Sequence, residues 1–243
     1  MKGLVIALQF LTRLPLPRVT VSNAEFAASM RWFPAAGLTV GAIVCLGAVL
    51  GARIDPWLGA LVGLVLWVAV TGALHLDGLG DVADASGAAH KLAQGNPERL
   101  RAVLADPHVG SFAVVAIGLQ LVAKLVLIRT LLVTAPPIAL LLVPFVARIG
   151  PLAWTRWLPP LHEGLGARFR DAVRPLDLAL WSAALLTASW FVPGLLAALL
   201  FVPLWAVWLR ARFGGISGDG HGAGIEIVES GLLLAAIVGA RLI

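Results

Sequence analysis

Long apolar runs alternate with short polar stretches along almost the whole chain. After an apolar start at 1–11 and a polar stretch to Arg31, seven runs follow: 34–50, 57–74, 110–128, 137–155, 176–192, 195–209 and 225–243. A helix rises ~1.5 Å per residue, so each run approaches the ~20 residues that cross a bilayer. The pattern predicts an all-α polytopic membrane protein with about seven transmembrane helices. The first eleven residues are too few to cross and predict a short interfacial or re-entrant helix, closed by Arg13, Pro15, Pro17 and Arg18. No internal repeat or linker interrupts the series, so residues 1–243 are expected to form a single integral membrane catalytic domain.

Composition agrees. The chain is 60% hydrophobic and 13% charged, about half the charged fraction of a soluble domain. That excludes an ordinary globule. The start has no small-residue cleavage pattern, so no removable signal peptide is expected. The one cysteine, Cys45, lies in a span and provides neither a disulfide framework nor a Cys-based zinc site.

A net charge of +5 invites a nucleic-acid reading, which the placement of the charges removes. Twelve of the Lys and Arg residues fall in 12–33, 75–109, 156–175 and 210–224, against Arg53, Arg129 and Arg241 on the opposite side. By the positive-inside rule the first group is cytoplasmic. Of 13 acids only Asp55 falls outside. The polar chemistry is therefore expected on the cytoplasmic face, and no nucleic-acid partner is expected.

Three of those acids, Asp77, Asp81 and Asp84, stand within eight positions. At ~100° per residue they share one narrow helical face. Carboxylates that close repel one another. Bulk water, basic partners or a divalent cation relieve them, and Mg²⁺ suits such a cluster, above all beside substrate phosphates. Asp77, Asp81 and Asp84 are thus the expected metal set. Asp81, with His75 just before the face, is the expected catalytic pair, although His75 would sit opposite the acids on a regular helix.

Two further groups join them. The stretch from Phe213 to Glu229 holds six glycines in eleven residues, then enters the last helix with Asp219, Glu226 and Glu229. Glycines let backbone N–H groups approach an anion, and acids at the start of a span are expensive without a partner. Arg148 lies about 10 Å into its span, too deep to snorkel easily, and is expected to meet acids or a bound phosphate. Asp106 either caps the next helix or contacts ligand. Lys124, near an outer end, is expected to snorkel without a role. Asp106, Arg148, Gly215, Asp219, Glu226 and Glu229 are the expected substrate-binding residues. The glycine stretch is expected to fold over the aspartate face, with Arg148 below it meeting a pyrophosphate.

These residues resemble the cobalamin synthase family. The likeness is carried by Phe10 to Pro17, by His75 to Gly78 with Asp81 and Asp84, by Asp106 with Gly110-Ser111-Phe112, and by Gly214 to Asp219 with Glu226 and Glu229. The chain departs from the common family wording at Ala85 and Ala105, which touches loop contacts rather than the acidic cluster. The resemblance implies an Mg²⁺-dependent adenosylcobinamide-GDP ribazoletransferase acting with α-ribazole or its 5′-phosphate, embedded in membrane lipid and compatible with a homo-oligomer. Two alternatives differ in class. A CDP-alcohol phosphotransferase would carry an Ala-Arg pair soon after Asp77-Gly78 and more widely spaced acids. A cation transporter would place acids deep in several spans or on both faces.

Overall fold

The computed structural model describes residues 2–91, 109–161, 169, 170 and 172–242, with 88–91 as helical backbone. Every regular element among them is helical. They are α1 (Lys2–Leu11), α2 (Asn23–Ser29), α3 (Phe33–Ala52), α4 (Pro56–Thr71), α5 (Leu74–Lys91), α6 (Ser111–Thr134), α7 (Ile138–Ala147), α8 (Gly150–Trp157), α9 (Pro175–Phe191), α10 (Ala198–Phe213) and α11 (Gly218–Leu242).

Local chemistry sets many of the boundaries. Ser22 and Glu25 form a reciprocal cap on α2. Asp55 accepts from the N–H groups of Trp57 and Leu58 to open α4, with Pro56 in the first position. Ser217 accepts from the Gly220 N–H at 3.0 Å to start α11. Glycines close the two ends that turn: Gly72 after α4 and Gly214 after α10 both have positive φ, at 60° and 81°.

Among the described residues five stretches are long and apolar enough to cross a membrane: Asn23–Ala52, Ser111–Thr134, Ile138–Trp157, Pro193–Phe213 and Gly218–Leu242. They become six when α4 and α5, bent by 84°, count as one broken span. The pattern predicts seven. The shortfall lies at 176–192, whose helix α9 has 17 residues. The start of the chain is the short apolar helix that its length predicts.

The bend after α4 is built from two successive left-handed residues, Gly72 and Ala73. Glycine adopts that conformation freely, whereas Ala73 costs about 1–2 kcal/mol. Arg13 braces the corner, its N–H donating to the Val70 carbonyl at 2.7 Å. The corner sends α5 off in a new direction, with His75 in its first turn.

The largest hydrophobic cluster joins α3, α4 and α5 to α6 through α11. A smaller one ties α1 and α2 to the start of α3 through Phe10, Phe26, Phe33 and Phe169. Much apolar surface is left outward, including Val122, Leu199 and an 86% exposed Trp190. That surface suits contact with lipid, where exposing apolar side chains carries no hydrophobic penalty.

Candidate active site

The aspartates stay on one face because α5 runs unbroken through Gly78 and Gly80. Each glycine is pressed against a neighbouring helix. A β-carbon on Gly78 would lie 2.9 Å from the Asp219 carbonyl oxygen, and one on Gly80 would lie 3.1 Å from the Ala113 side chain. Helices α11 and α6 therefore close on α5 from its two glycine positions and leave the acids between them. Asp77 is exposed, while Asp81, Asp84 and Asp219 are half-buried. Among the carboxylates acting on Asp81, Asp219 acts most strongly, ahead of Asp77 and Asp84. Four acids thus crowd one face of the described protein.

Asp84 differs from its two companions. Its Oδ2 accepts from the Gly110 N–H at 2.7 Å and its Oδ1 from the Ala113 N–H at 3.0 Å. A side-chain cap of this kind stabilises a helix by about 1 kcal/mol. Among the described residues no three His, Cys, Asp or Glu side chains converge on one point fit for a metal ion. Mg²⁺ does not require such a cage, since it keeps several waters and takes one or two carboxylates with substrate phosphates. One or two carboxylates drawn from Asp77, Asp81 and Asp219 would fit that mode.

The glycine stretch departs from its expected form. It is no loop folded over the acids: α11 begins at Gly218, so Gly218, Gly220, Gly222 and Gly224 are helical. These glycines admit close neighbours. A β-carbon on Gly222 would touch the backbone of His75 at 3.4 Å, and one on Gly224 would collide with Trp205 and Trp154. Gly215 is buried against the Pro159 carbonyl, 2.3 Å from an added β-carbon. There Ile216 donates to Pro159 and accepts from Leu161, at 2.9 and 3.0 Å. The segment after α8 is thereby pinned to the start of α11, and close packing accounts for the glycines at 215 and 224.

Beneath the acids lies a second, buried charge cluster. Lys124 of α6 pairs with Glu226 at 2.8 Å and with Glu229, and Arg148 pairs with Glu229 at 2.8 Å. Gln120 donates to Glu226 and Ser230. Arg148 sits in the break between α7 and α8 and is fully buried. Its Nη1 also donates to the Pro144 carbonyl at 2.8 Å, which the break frees from helical bonding. Its Nη2 lies 3.4 Å from His75 Nδ1. Arginine only donates, so Nδ1 accepts and the neutral ring carries its proton on Nε2, which has no partner among the described residues.

The structure thus gathers Asp77, Asp81 and Asp219 in one layer and His75, Arg148, Glu226 and Glu229 in another. Arg148 meets an acid, one of its two expected partners. Asp106 lies outside the described residues. Lys124 is a correction: it is 2% exposed and held by two glutamates, because α6 runs on to Thr134 and puts it in mid-helix. The sequence does hold a signal for it. Gln120 and Lys124, one turn apart, are the polar residues of an otherwise apolar stretch, and such groups face protein rather than lipid.

Residues 3–237 match the family of cobalamin-5-phosphate synthases. The chain belongs to that family. Among relatives named adenosylcobinamide-GDP ribazoletransferase, that of Novosphingobium aromaticivorans is 61% identical over 242 residues, covering 98% of this chain and 97% of its own. Those of Thiobacillus denitrificans and Laribacter hongkongensis are 50% and 51% identical, covering 97% and 100% of this chain and 95% and 99% of theirs. No solved structure matches the chain. Membership in the cobalamin-5-phosphate synthase family sets aside the CDP-alcohol phosphotransferase and the transporter.

Proposed function

We propose that the chain catalyses the adenosylcobinamide-GDP ribazoletransferase reaction, the nucleotide-loop step of vitamin B12 synthesis. A ribose hydroxyl of α-ribazole, or of its 5′-phosphate, bonds to the cobinamide-side phosphorus. The phosphorus–oxygen bond to GMP breaks, and GMP leaves. The observation that carries this reading is the 61% identity, over 98% of the chain, to a relative bearing that name.

Asp77 and Asp81 of α5, with Asp219 of α11 against them, are the residues assigned to Mg²⁺. Bound there, the ion would offset the charge of the pyrophosphate. Asp81, at the edge of the face toward Asp219, takes the proton of the attacking hydroxyl, directly or through water. His75 is the weaker candidate for proton acceptance, since it is buried and turned to Arg148. Arg148, Glu226 and Glu229 act beneath the substrate, by holding α11 in place.

The site faces the cytoplasm of the inner membrane in this reading, as the twelve-to-three basic bias favours. Two contacts support a common side for its parts: Asp84 with Gly110, and Pro159 to Leu161 with Ile216. With α9 counted as a short seventh crossing of about 26 Å, the polar loops all return to that side. The test is direct. Purified protein in nanodiscs with Mg²⁺, adenosylcobinamide-GDP and α-ribazole is expected to yield GMP and a cobalamin product. No product with either α-ribazole or its phosphate rejects the reading.

A further inference from the structure

We infer that Asp84 is a positioning residue: it caps α6 from outside the helix and fixes that helix beside Asp81, and it does not belong to the cation-binding set. The inference deepens the proposed reaction and rests on it for its activity readout alone. Helix α6 opens at Ser111 after Gly110, whose extended backbone stands at the capping position with no side chain to cap. The first N–H groups of a helix have no partner within it. Asp84 provides one from α5. Its Oδ1 accepts from Ala113, the third helical residue, where a local cap would bond, and its Oδ2 accepts from Gly110 itself. Both oxygens are thus held by backbone, and the negative charge lies at the positive end of the α6 dipole.

The fit around this bond is close. A β-carbon on Gly110 would stand 2.4 Å from Asp84 Oδ1, so any larger residue would displace the carboxylate. One turn later on α5, Gly87 admits the ring of Phe112, which an added β-carbon would meet at 2.3 Å. One turn earlier, Gly80 admits Ala113 and Ile117, each at 3.1 Å. Residues 80, 84 and 87 are spaced as one helical stripe, and all three contact the first turns of α6. Asp84 stands at the edge of the aspartate face that borders this stripe, and Asp81 stands at the edge toward Asp219. The three aspartates therefore have different roles. Asp81 faces the fourth carboxylate with Asp77 beside it, and Asp84 holds the joint that sets their helix against α6.

Asparagine discriminates the two roles, because its one amide oxygen keeps one of the two backbone bonds, as an asparagine cap does, yet brings no charge to a cation. The experiment compares Asp84→Asn, Asp84→Ala and Asp81→Asn in nanodiscs, reading transfer, the Mg²⁺ concentration for half-maximal rate, and amide hydrogen exchange at 110–113. Asp84→Asn is expected to lose about threefold in rate with the Mg²⁺ midpoint within about twofold of wild type. Asp84→Ala is expected to exchange its 110–113 amides about tenfold faster, and Asn to restore part of their protection. Asp81→Asn is expected to lose about 10³-fold in rate with those amides unchanged. Loss of transfer in Asp84→Asn equal to that in Asp81→Asn, a tenfold shift of its Mg²⁺ midpoint, or amides in Asp84→Ala as protected as in wild type would each overturn the assignment. The exchange arm reads without substrate, so an inactive wild type rejects the proposed reaction and leaves this role to be judged by the amides.

Discussion

Helices α5 and α11 meet twice, and the two meetings hold charge in opposite ways. At the deeper one, His75 lies against Gly222, and two glutamates of α11 are matched by Lys124 and Arg148, every charged side chain being at most 4% exposed. At the shallower one, Gly78 lies against Asp219, and carboxylates crowd Asp81 from three directions. The deep layer is neutral in sum and closed. The shallow layer is rich in carboxylates and partly open to solvent. Ions stay buried in a low-dielectric interior when they are paired and bonded, so a balanced cluster is what architecture requires. An unbalanced one costs stability and persists where a ligand offsets it. In the proposed reading, balance more than the presence of charge separates framework from chemistry.

The comparison can be broken at either layer. The largest effect is expected in the shallow one: Asp81→Asn should cost about 10³-fold in transfer rate, from lost proton acceptance and ion binding. Its thermal unfolding midpoint in detergent should hold or rise, since one of four repelling charges is gone. A fall in that midpoint would show Asp81 to be part of the framework. In the deep layer the order reverses. Glu229→Gln leaves Arg148 buried without its counter-charge and should cost about 3–5 kcal/mol of stability, read from the unfolding midpoint.

Lys124→Met should be nearly as damaging, because Glu226 loses its cation. Adding Glu226→Gln restores neutrality and should return about 1–3 kcal/mol. A double variant as unstable as the sum of the single ones would mean that the two charges do not act as a pair. The smallest effects distinguish the glycines. Gly78→Ala forces a β-carbon to 2.9 Å from Asp219 backbone and should cost about 1–3 kcal/mol. Gly222→Ala meets His75 at an ordinary 3.4 Å and should change stability by less than about 1 kcal/mol.

The aspartate face is legible in the sequence because its spacing survives in a regular helix, the glycines at 78 and 80 causing no break. The glycine stretch misleads for a related reason. Glycine disfavours helix by about 1 kcal/mol per residue, so six in eleven positions predict a loop. Packing overrides that cost, since Gly222 and Gly224 let His75, Trp154 and Trp205 approach. The partner of Lys124 lies about a hundred residues away, and no local pattern names it. Asp84 and Gly110 are likewise both visible as motif residues, but their bond is a product of tertiary packing. The count of crossings falls short at α9, where a run of adequate apolarity becomes a helix of only 17 residues.

The ion pairs also bear on how such a chain can enter a bilayer. A single Asp, Lys or Arg at the centre of a lone helix opposes insertion by about 2.5–3.5 kcal/mol, and a buried Glu faces the same physics. Here the two cations precede the two anions in order of synthesis: Lys124 and Arg148 emerge first, Glu226 and Glu229 with the final helix. The earlier segments offer a cationic dock, and α11 meets it only when nearly everything else is in place. A nascent protein stopped before position 218 would hold two unmatched cations within the membrane, a state open to quality-control proteolysis, and the helix that completes the lock is also the one that delivers Asp219 to the acidic face.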